Sequence, residues 1–419
     1  MSGPPPPKRA VAAAALLLAR TVYAFNWYNI GAVPTPIEHR FGIGTVEFGI
    51  VLGAFLLGAG LFQVPAGVVA LRWGNRSTSI AGLGIMGVFC LGSAFASSWE
   101  LLALLRFGAG AGAAFFFAPA LGLVTSYFPA GSRGPIIGLY NAGFSLGSAV
   151  GLFGGALLAG PYGWTMTLGV GGVLLLVTLP IVVLLLPAEP ARSAAVSWRA
   201  VLASARPVAT SRALWAIALG GTGLWGGFYI AAQYFVGFAH AAHPAWSLVL
   251  AATVPSVLIV TEIPGGPIGG WLGERSRDMR RLLVYGGIVS GALLSVLPLL
   301  VFWLAGAAFV AIGFSAGVTF AVLYLMPSYL PTLGGEGFAL AVALINSVQI
   351  FLGSALAIGF AVIAAGHGYP AAWLFAGAVT VGFLPFLALM RPVRGRVFPG
   401  RPVAAAPGTG AADRSGRGV

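Results

Sequence analysis

Apolar residues in this chain come in long unbroken runs, and polar residues are largely confined to the short gaps between them. Twelve such runs occupy residues 10–34, 46–70, 78–97, 99–127, 135–159, 163–186, 213–239, 246–271, 282–303, 305–329, 337–364 and 369–390. A helix of about 20 apolar residues covers the ~30 Å hydrocarbon layer of a bilayer. That layer holds no water for the backbone, so only helices and closed barrels can cross it. Barrel strands alternate apolar and polar positions. These runs do not alternate, and the pattern predicts an all-α integral membrane protein of twelve transmembrane helices.

The runs repeat in two sets of six. Gly67-Val-Val-Ala-Leu-Arg-Trp-Gly-Asn-Arg76, a short basic stretch between runs two and three, returns half a chain later as Gly270-Trp-Leu-Gly-Glu-Arg275, followed by Arg277, Arg280 and Arg281. Ser126-Tyr-Phe-Pro129 returns as Ser328-Tyr-Leu-Pro331, and Leu146-Gly-Ser-Ala-Val150 as Leu352-Gly-Ser-Ala-Leu356. Two pseudo-symmetric six-helix halves follow, 10–186 and 213–391, and chains built this way bind their solute near the midplane between the repeats. The proline-rich residues 1–9 and the Pro/Gly/Ala/Arg tail 392–419 are predicted to be disordered. In the connecting segment 187–212, Trp198, Val201 and Leu202 share one helical face with the arginines off it. That pattern predicts a helix lying on the membrane surface.

Composition agrees, with 58% hydrophobic and 7% charged residues. A net charge of +13 could suggest nucleic acid, but its placement argues for topology. Every Lys and Arg except Arg20, Arg40 and Arg106 falls at a terminus or in every second connection. The positive-inside rule then puts both termini in the cytoplasm, in a multi-pass protein of the plasma membrane. The lone Cys90 excludes a disulfide framework. His39, His240, His243 and His367 all fall in connections on the opposite side, so no interior metal centre is expected. The glycine-rich runs lack the Gly-Lys-Ser/Thr ending of a nucleotide loop. No enzyme site and no cofactor are expected.

At these motifs the chain resembles the major facilitator superfamily of secondary transporters, over about residues 10–392. The family's loop pattern Gly-x-Leu-Ala-Asp-Arg-x-Gly-Arg-Arg is met by Gly67, Ala70, Arg72, Gly74 and Arg76, with Leu71 in place of the acid. Its second copy is met by Gly270, Leu272, Glu274 and Arg275. The fourth-span pattern fits Leu102, Arg106, Gly110, Gly112, Ala113 and Ala114, and the fifth-span antiporter pattern fits Gly147, Gly151, Gly154 and Gly155, with Leu152 where proline belongs. The tract from Arg106 to Gly155, with Asn141-Ala-Gly143, looks nearest to anion and nitrate/nitrite porters, although runs two and eight lack the arginine those porters carry there. The resemblance implies alternating access, a cavity lined by spans one, four, seven and ten, and a cytoplasmic latch at Gly67, Arg72, Gly74, Arg76, Gly270, Glu274 and Arg275.

Charges inside membrane spans are costly and tend to face the interior. Arg20, Arg106 and Glu262 each sit deep in their runs. Arg20 shares a helical face with Tyr23 and Trp27; guanidinium offers paired planar donors to a carboxylate. The alternative is that Arg20 caps helix-end carbonyls or snorkels. Arg106 either ties span four to its neighbours or touches solute. Glu262 precedes Ile263-Pro-Gly-Gly-Pro267, which is expected to break or kink the helix. It is read as a proton carrier, or else as the partner of an arginine. Span seven carries the stripe Thr222, Trp225, Tyr229, Gln233; Tyr324 and Asn346 add polar groups on spans ten and eleven. The glycine ladder Gly143, Gly147, Gly151, Gly155 reads as a packing surface.

The expected function is secondary active transport of a small anionic solute coupled to protons, by a monomer in the lipid bilayer with no nucleic-acid partner. Two rivals are proton-driven efflux of hydrophobic or cationic compounds and a membrane receptor that senses without transporting.

Overall fold

A computed structural model describes residues 6–128, 133–188, 206–330 and 335–395. Within them there are helices and no strands. Span one is Pro6–Tyr28, continued by a 3-10 turn Asn29–Ala32; a short helix Pro34–Phe41 follows. Spans two, three and four are Thr45–Trp73, Asn75–Ser93 and Trp99–Ser126. Spans five and six form one bent helix, Arg133–Leu185. Spans seven to ten are Arg212–Ala242, Leu248–Arg275, Met279–Val296 and Phe302–Leu325, and spans eleven and twelve share the bent helix Gly335–Gly382.

Nine of the described helices are long and apolar enough to cross a membrane, and two of these, Ile136–Leu185 and Leu340–Leu389, are long enough to do so twice. Span three is the remaining crossing; its start, Asn75-Arg-Ser-Thr-Ser79, dilutes its hydropathy. The two bends sit at Gly163, with φ 79°, and Gly368, with φ 81°. Only glycine takes that left-handed backbone without strain, so the bends fall in equivalent places in the two halves. Elsewhere the ends are capped locally: Ser98, Ser211 and Ser247 accept from the backbone N–H of Leu101, Leu214 and Leu250.

Three expectations change. Span one begins at Pro6, so the ordered chain starts before residue 10. The tail is held as far as Gly395: Met279 N donates to Val393 O at 2.9 Å and Gly395 N to Ser276 O at 2.9 Å. The Gly67–Arg76 stretch is no extended loop. Residues 67–73 finish span two, Gly74 alone breaks the helix at φ 88°, and span three starts at Asn75. The surface helix expected around 197–206 and the far tail lie largely outside the described residues.

The glycine ladder of span five lies against span one. A Cβ on Gly147 would meet the Thr21 carbonyl oxygen, and one on Gly151 would come within 2.5 Å of the Phe25 carbonyl oxygen. Small residues at spacing four let the two backbones approach this closely. Spans two and four cross in the same manner at Gly58 and Gly110.

Each half carries the same arginine staple. Arg76, at the start of span three, donates from Nε to Leu186 O at 3.2 Å and from Nη2 to Val183 O at 2.7 Å, closing the end of span six. Arg280, at the start of span nine, donates from Nη1 to Met390 O at 2.6 Å and Leu387 O at 3.5 Å, at the end of span twelve. The sequence separations, 107 and 110, are identical in the two halves. A helix C-terminus leaves carbonyls unpaired and carries partial negative charge, so a guanidinium serves it on both counts. Arg280 is itself fixed by Asp278 at 2.8 Å. Partial burial pushes the Asp278 carboxyl up, but its bonds from Arg280 outweigh that and hold it below the usual range.

Arg76→Ala and Arg280→Ala should each destabilise the purified protein by about 1.5–3 kcal/mol, the worth of hydrogen bonds from a charged donor, seen as a lower thermal unfolding midpoint. An unchanged midpoint in both variants rules out a stapling role.

Candidate central solute site

Arg20 is buried, 5% exposed, in the middle of span one. Four rings surround its guanidinium: Phe144 at 4.3 Å, Phe117 at 4.6 Å, Tyr23 at 4.8 Å and Tyr140 at 5.0 Å. Its Nε and Nη1 are buried without a hydrogen-bond partner. Among the described residues the Arg20 Nε and Nη1 bond no helix-end carbonyl. Ring faces attract a cation, yet they leave in-plane donors unsatisfied, and an unsatisfied buried charged donor is expensive. The arrangement suits an incoming anion. Tyr23 lies on the expected face, while Phe117, Tyr140 and Phe144 come from spans four and five. The signal for the last two was present as an i, i+4 aromatic pair beside the glycine ladder.

Arg106 is placed differently. Both its Nη atoms donate to Asn26 O at 3.2 Å, and its guanidinium lies 4.5 Å from the Phe55 ring. Asn26 in turn donates to Gly171 O at 2.9 Å, and Asn29 to Thr167 O at 3.1 Å. This network ties span four to span one and span one to span six, which is the structural reading of Arg106. Asn26 and Asn29 were not singled out from sequence.

Glu262 sits on span eight, and Ser145 Oγ of span five donates to its Oε2 at 3.2 Å, across the two halves. Among the described residues no arginine reaches ion-pair distance of it, although Arg20, Tyr28 and Tyr324 lie within electrostatic range. The expected helix break after Glu262 does not occur: Leu248–Arg275 runs continuously through Pro264 and Pro267. Ser256 Oγ adds a second contact across the same seam, to Ala149 O at 3.4 Å.

Span seven closes the site on the side away from the chain start. Trp225 and Tyr229 stack at 5.3 Å, and Tyr229 lies 6.0 Å from Tyr28 of the other half. Gln233 Nε2 donates to Trp27 O at 2.8 Å and to Tyr229 Oη at 3.2 Å. Trp27 packs edge-on against Phe55 at 4.8 Å and Phe144 at 5.9 Å. Ser347 Oγ of span eleven reaches Gly60 O of span two at 2.7 Å. Tyr324 donates to Asn346 Oδ1 at 3.0 Å within the second half. The structure therefore brings Arg20, Tyr23, Trp27, Tyr229, Gln233 and Glu262 to one seam, and sets Arg106 to one side of it.

The residues expected to form a latch lie at the ends of spans two and eight and the start of span three. Arg76 is engaged with span six, Arg275 lies 4.5 Å over the Trp271 ring of its own helix, and Glu274 is exposed. Gly67 and Gly270 have open space where a Cβ would stand.

The family model for the Major Facilitator Superfamily matches residues 16–354. A 4-hydroxybenzoate transporter of Pseudomonas putida is 31% identical over 163 residues, 39% of this chain and 36% of its own length. A gallate transporter of the same species is 30% identical over 163 residues, again 39% of this chain and 36% of its own length. The matched region thus spans about a third of either relative's length. A bacterial homolog of the human lysosomal transporter Spinster, solved inward-facing and unoccupied, superposes with a TM-score of 0.69 at 17% identity, over 92% of this chain and 96% of that one. That likeness concerns the fold alone.

Replacing Gln233 by Leu removes the bond to Trp27 O between the halves. A reporter cysteine on the short helix Pro34–Phe41 should then label faster from outside. Unchanged labelling means that Gln233 contributes nothing to closure.

Proposed function

Because this chain belongs to the Major Facilitator Superfamily, and is thus a multi-pass secondary transporter rather than an enzyme, we propose that it carries a small organic anion coupled to protons by alternating access. The observation that carries this reading is Arg20: a buried guanidinium with unpaired donors, walled by aromatic rings. A carboxylate would supply the missing acceptors, and an aromatic body would pack on Tyr23, Trp27 and the Trp225–Tyr229 stack. The relatives named for 4-hydroxybenzoate and gallate carry solutes of this description, aromatic carboxylates, and they favour an aromatic acid over nitrate. Efflux of cationic drugs fits less well, since two buried arginines against one glutamate leave the site positive. A sensing role without transport draws support from no observation here.

In this scheme Arg20 grips the anion, Tyr23, Trp27, Trp225, Tyr229, Gln233, Tyr324 and Asn346 line its path, and Arg106 holds spans one and four in register. Glu262 takes and releases the coupled proton. Its bond to Ser145 spans the seam between the halves, so a change of charge there alters a contact that differs between conformations. Anion and proton acting on one seam gives the reciprocal linkage that coupling requires. The termini and the basic ends of spans two and eight face the cytoplasm by the positive-inside rule, where Arg72, Gly74 and Glu274 contribute to closing that side, and the protein works as a monomer.

Arg20→Lys keeps the charge but loses the planar paired donors. Binding of 4-hydroxybenzoate, read by calorimetry, should weaken about tenfold or more, with folding retained. Unchanged affinity in Arg20→Lys and Arg20→Gln removes Arg20 from the site.

Glu262→Gln imitates the protonated carboxyl permanently. In proteoliposomes it should abolish accumulation driven by a pH gradient yet leave exchange of labelled for unlabelled solute. Accumulation that survives with only a pH difference supplied rules Glu262 out as the carrier.

A further inference from the structure

A second site lies at the membrane rim of the C-terminal half, away from the central seam. Span nine and the end of span twelve form a groove of about 560 Å³, lined by Val284, Tyr285, Ile288, Val381 and Leu384. Asp278 and Arg281 also line a neighbouring pocket of about 490 Å³, with Arg277 and Arg394. The groove opens outward: Tyr285 is 61% and Ile288 49% exposed. In a spanning helix such exposure is to lipid. From Asp278 to Ile288 the groove runs roughly 15 Å along the helix, about half of the ~30 Å hydrocarbon layer.

At the register of the arginine staple, the basic end of this site belongs to the second half alone. The internal repeat supplies the comparison. Arg280 has its counterpart in Arg76, and both staple a helix end. At the same offset, the counterparts of Arg277, Arg281 and Arg394 are Trp73, Ser77 and Pro190, none of them basic. The first half is therefore built without these charges. The side chains of Arg281 and Arg394 are exposed and make no hydrogen bond or ion pair among the described residues. The Asp278 carboxylate that shares their pocket is bonded to Arg280 and also attracted by Arg281, so a single acid stands against Arg277, Arg280, Arg281 and Arg394.

We propose that an anionic phospholipid docks here, its phosphate headgroup held by Arg277, Arg281 and Arg394 and one acyl chain laid in the groove between spans nine and twelve. Arginine presents planar donors suited to phosphate, and basic pockets between spans at the membrane rim are suited to anionic headgroups. The groove matches one leaflet in depth, and a free inorganic anion would leave it empty. The lipid would brace the Arg280 staple from outside, joining span nine to the end of span twelve.

The full-length protein in mild detergent is titrated with phosphatidylglycerol or phosphatidylcholine, with bound lipid counted by native mass spectrometry and stability followed by thermal unfolding. Wild type should retain phosphatidylglycerol roughly tenfold better than phosphatidylcholine, and phosphatidylglycerol alone should raise the midpoint. Arg277→Gln/Arg281→Gln/Arg394→Gln should lose both effects, and Arg281→Gln alone should lose part of them should the triple variant fold poorly. Ile288→Trp, which fills the groove, should weaken phosphatidylglycerol binding with the arginines intact. Equal retention of the two lipids by wild type overturns the proposal. So does wild-type phosphatidylglycerol retention in the triple variant, or its full displacement by inorganic phosphate at the same concentration, which would make this a bare anion site.

Discussion

A bilayer interior offers a polar group nothing to bond with, and the architecture follows from meeting that constraint. The backbone meets it by being helical almost throughout. Where helices end at a membrane face, arginine does the work: Arg76 closes span six and Arg280 closes span twelve with the same spacing. Where helices cross, asparagine and arginine side chains reach the neighbour's carbonyls, as Arg106 does to Asn26 and Asn26 to Gly171. Glycines at the crossings bring the backbones close enough for such bonds. Each half is in this way tied together by bonds internal to it.

Against that background, the groups left unsatisfied stand out. Arg20 is enclosed by four rings and has donors without acceptors. Arg106 has nearly the same burial, but both its Nη atoms are bonded to Asn26 O and only its Nε is left without a partner. Ring faces keep the Arg20 cation tolerable without competing for its in-plane donors. Among the described residues the halves are joined by single hydrogen bonds: Gln233 to Trp27, Ser145 to Glu262, Ser256 to Ala149 and Ser347 to Gly60.

Much of this was legible in the residues. Run length and lack of alternation set the helical membrane class, and the repeated motifs set the two halves. The bends at Gly163 and Gly368 fall where the apolar runs were divided. Arg20, Tyr23 and Trp27 were found as a face of one helix, because spacing of three and four is a local property. The misreadings were local as well: a glycine and basic residues at Gly67–Arg76 suggested a loop where helix continues to Trp73, and of the break or kink expected from the prolines after Glu262, the break is absent.

What the chain order alone could not decide was which polar group meets which. Ser145 and Glu262 are 117 positions apart, Gln233 and Trp27 are 206 apart, and Arg106 and Asn26 are 80 apart. Hydrophobic periodicity reports how a helix presents its faces to lipid and to protein, so span number, internal symmetry and family came from sequence. Partnership depends on rotation and depth of helices packed side by side, which are settled by interlocking glycines and rings from four spans at once. Only the tertiary structure could therefore show that Arg106 ties span four to span one, that Arg20 keeps buried donors without partners, and that the repeated arginine belongs to a staple within each half.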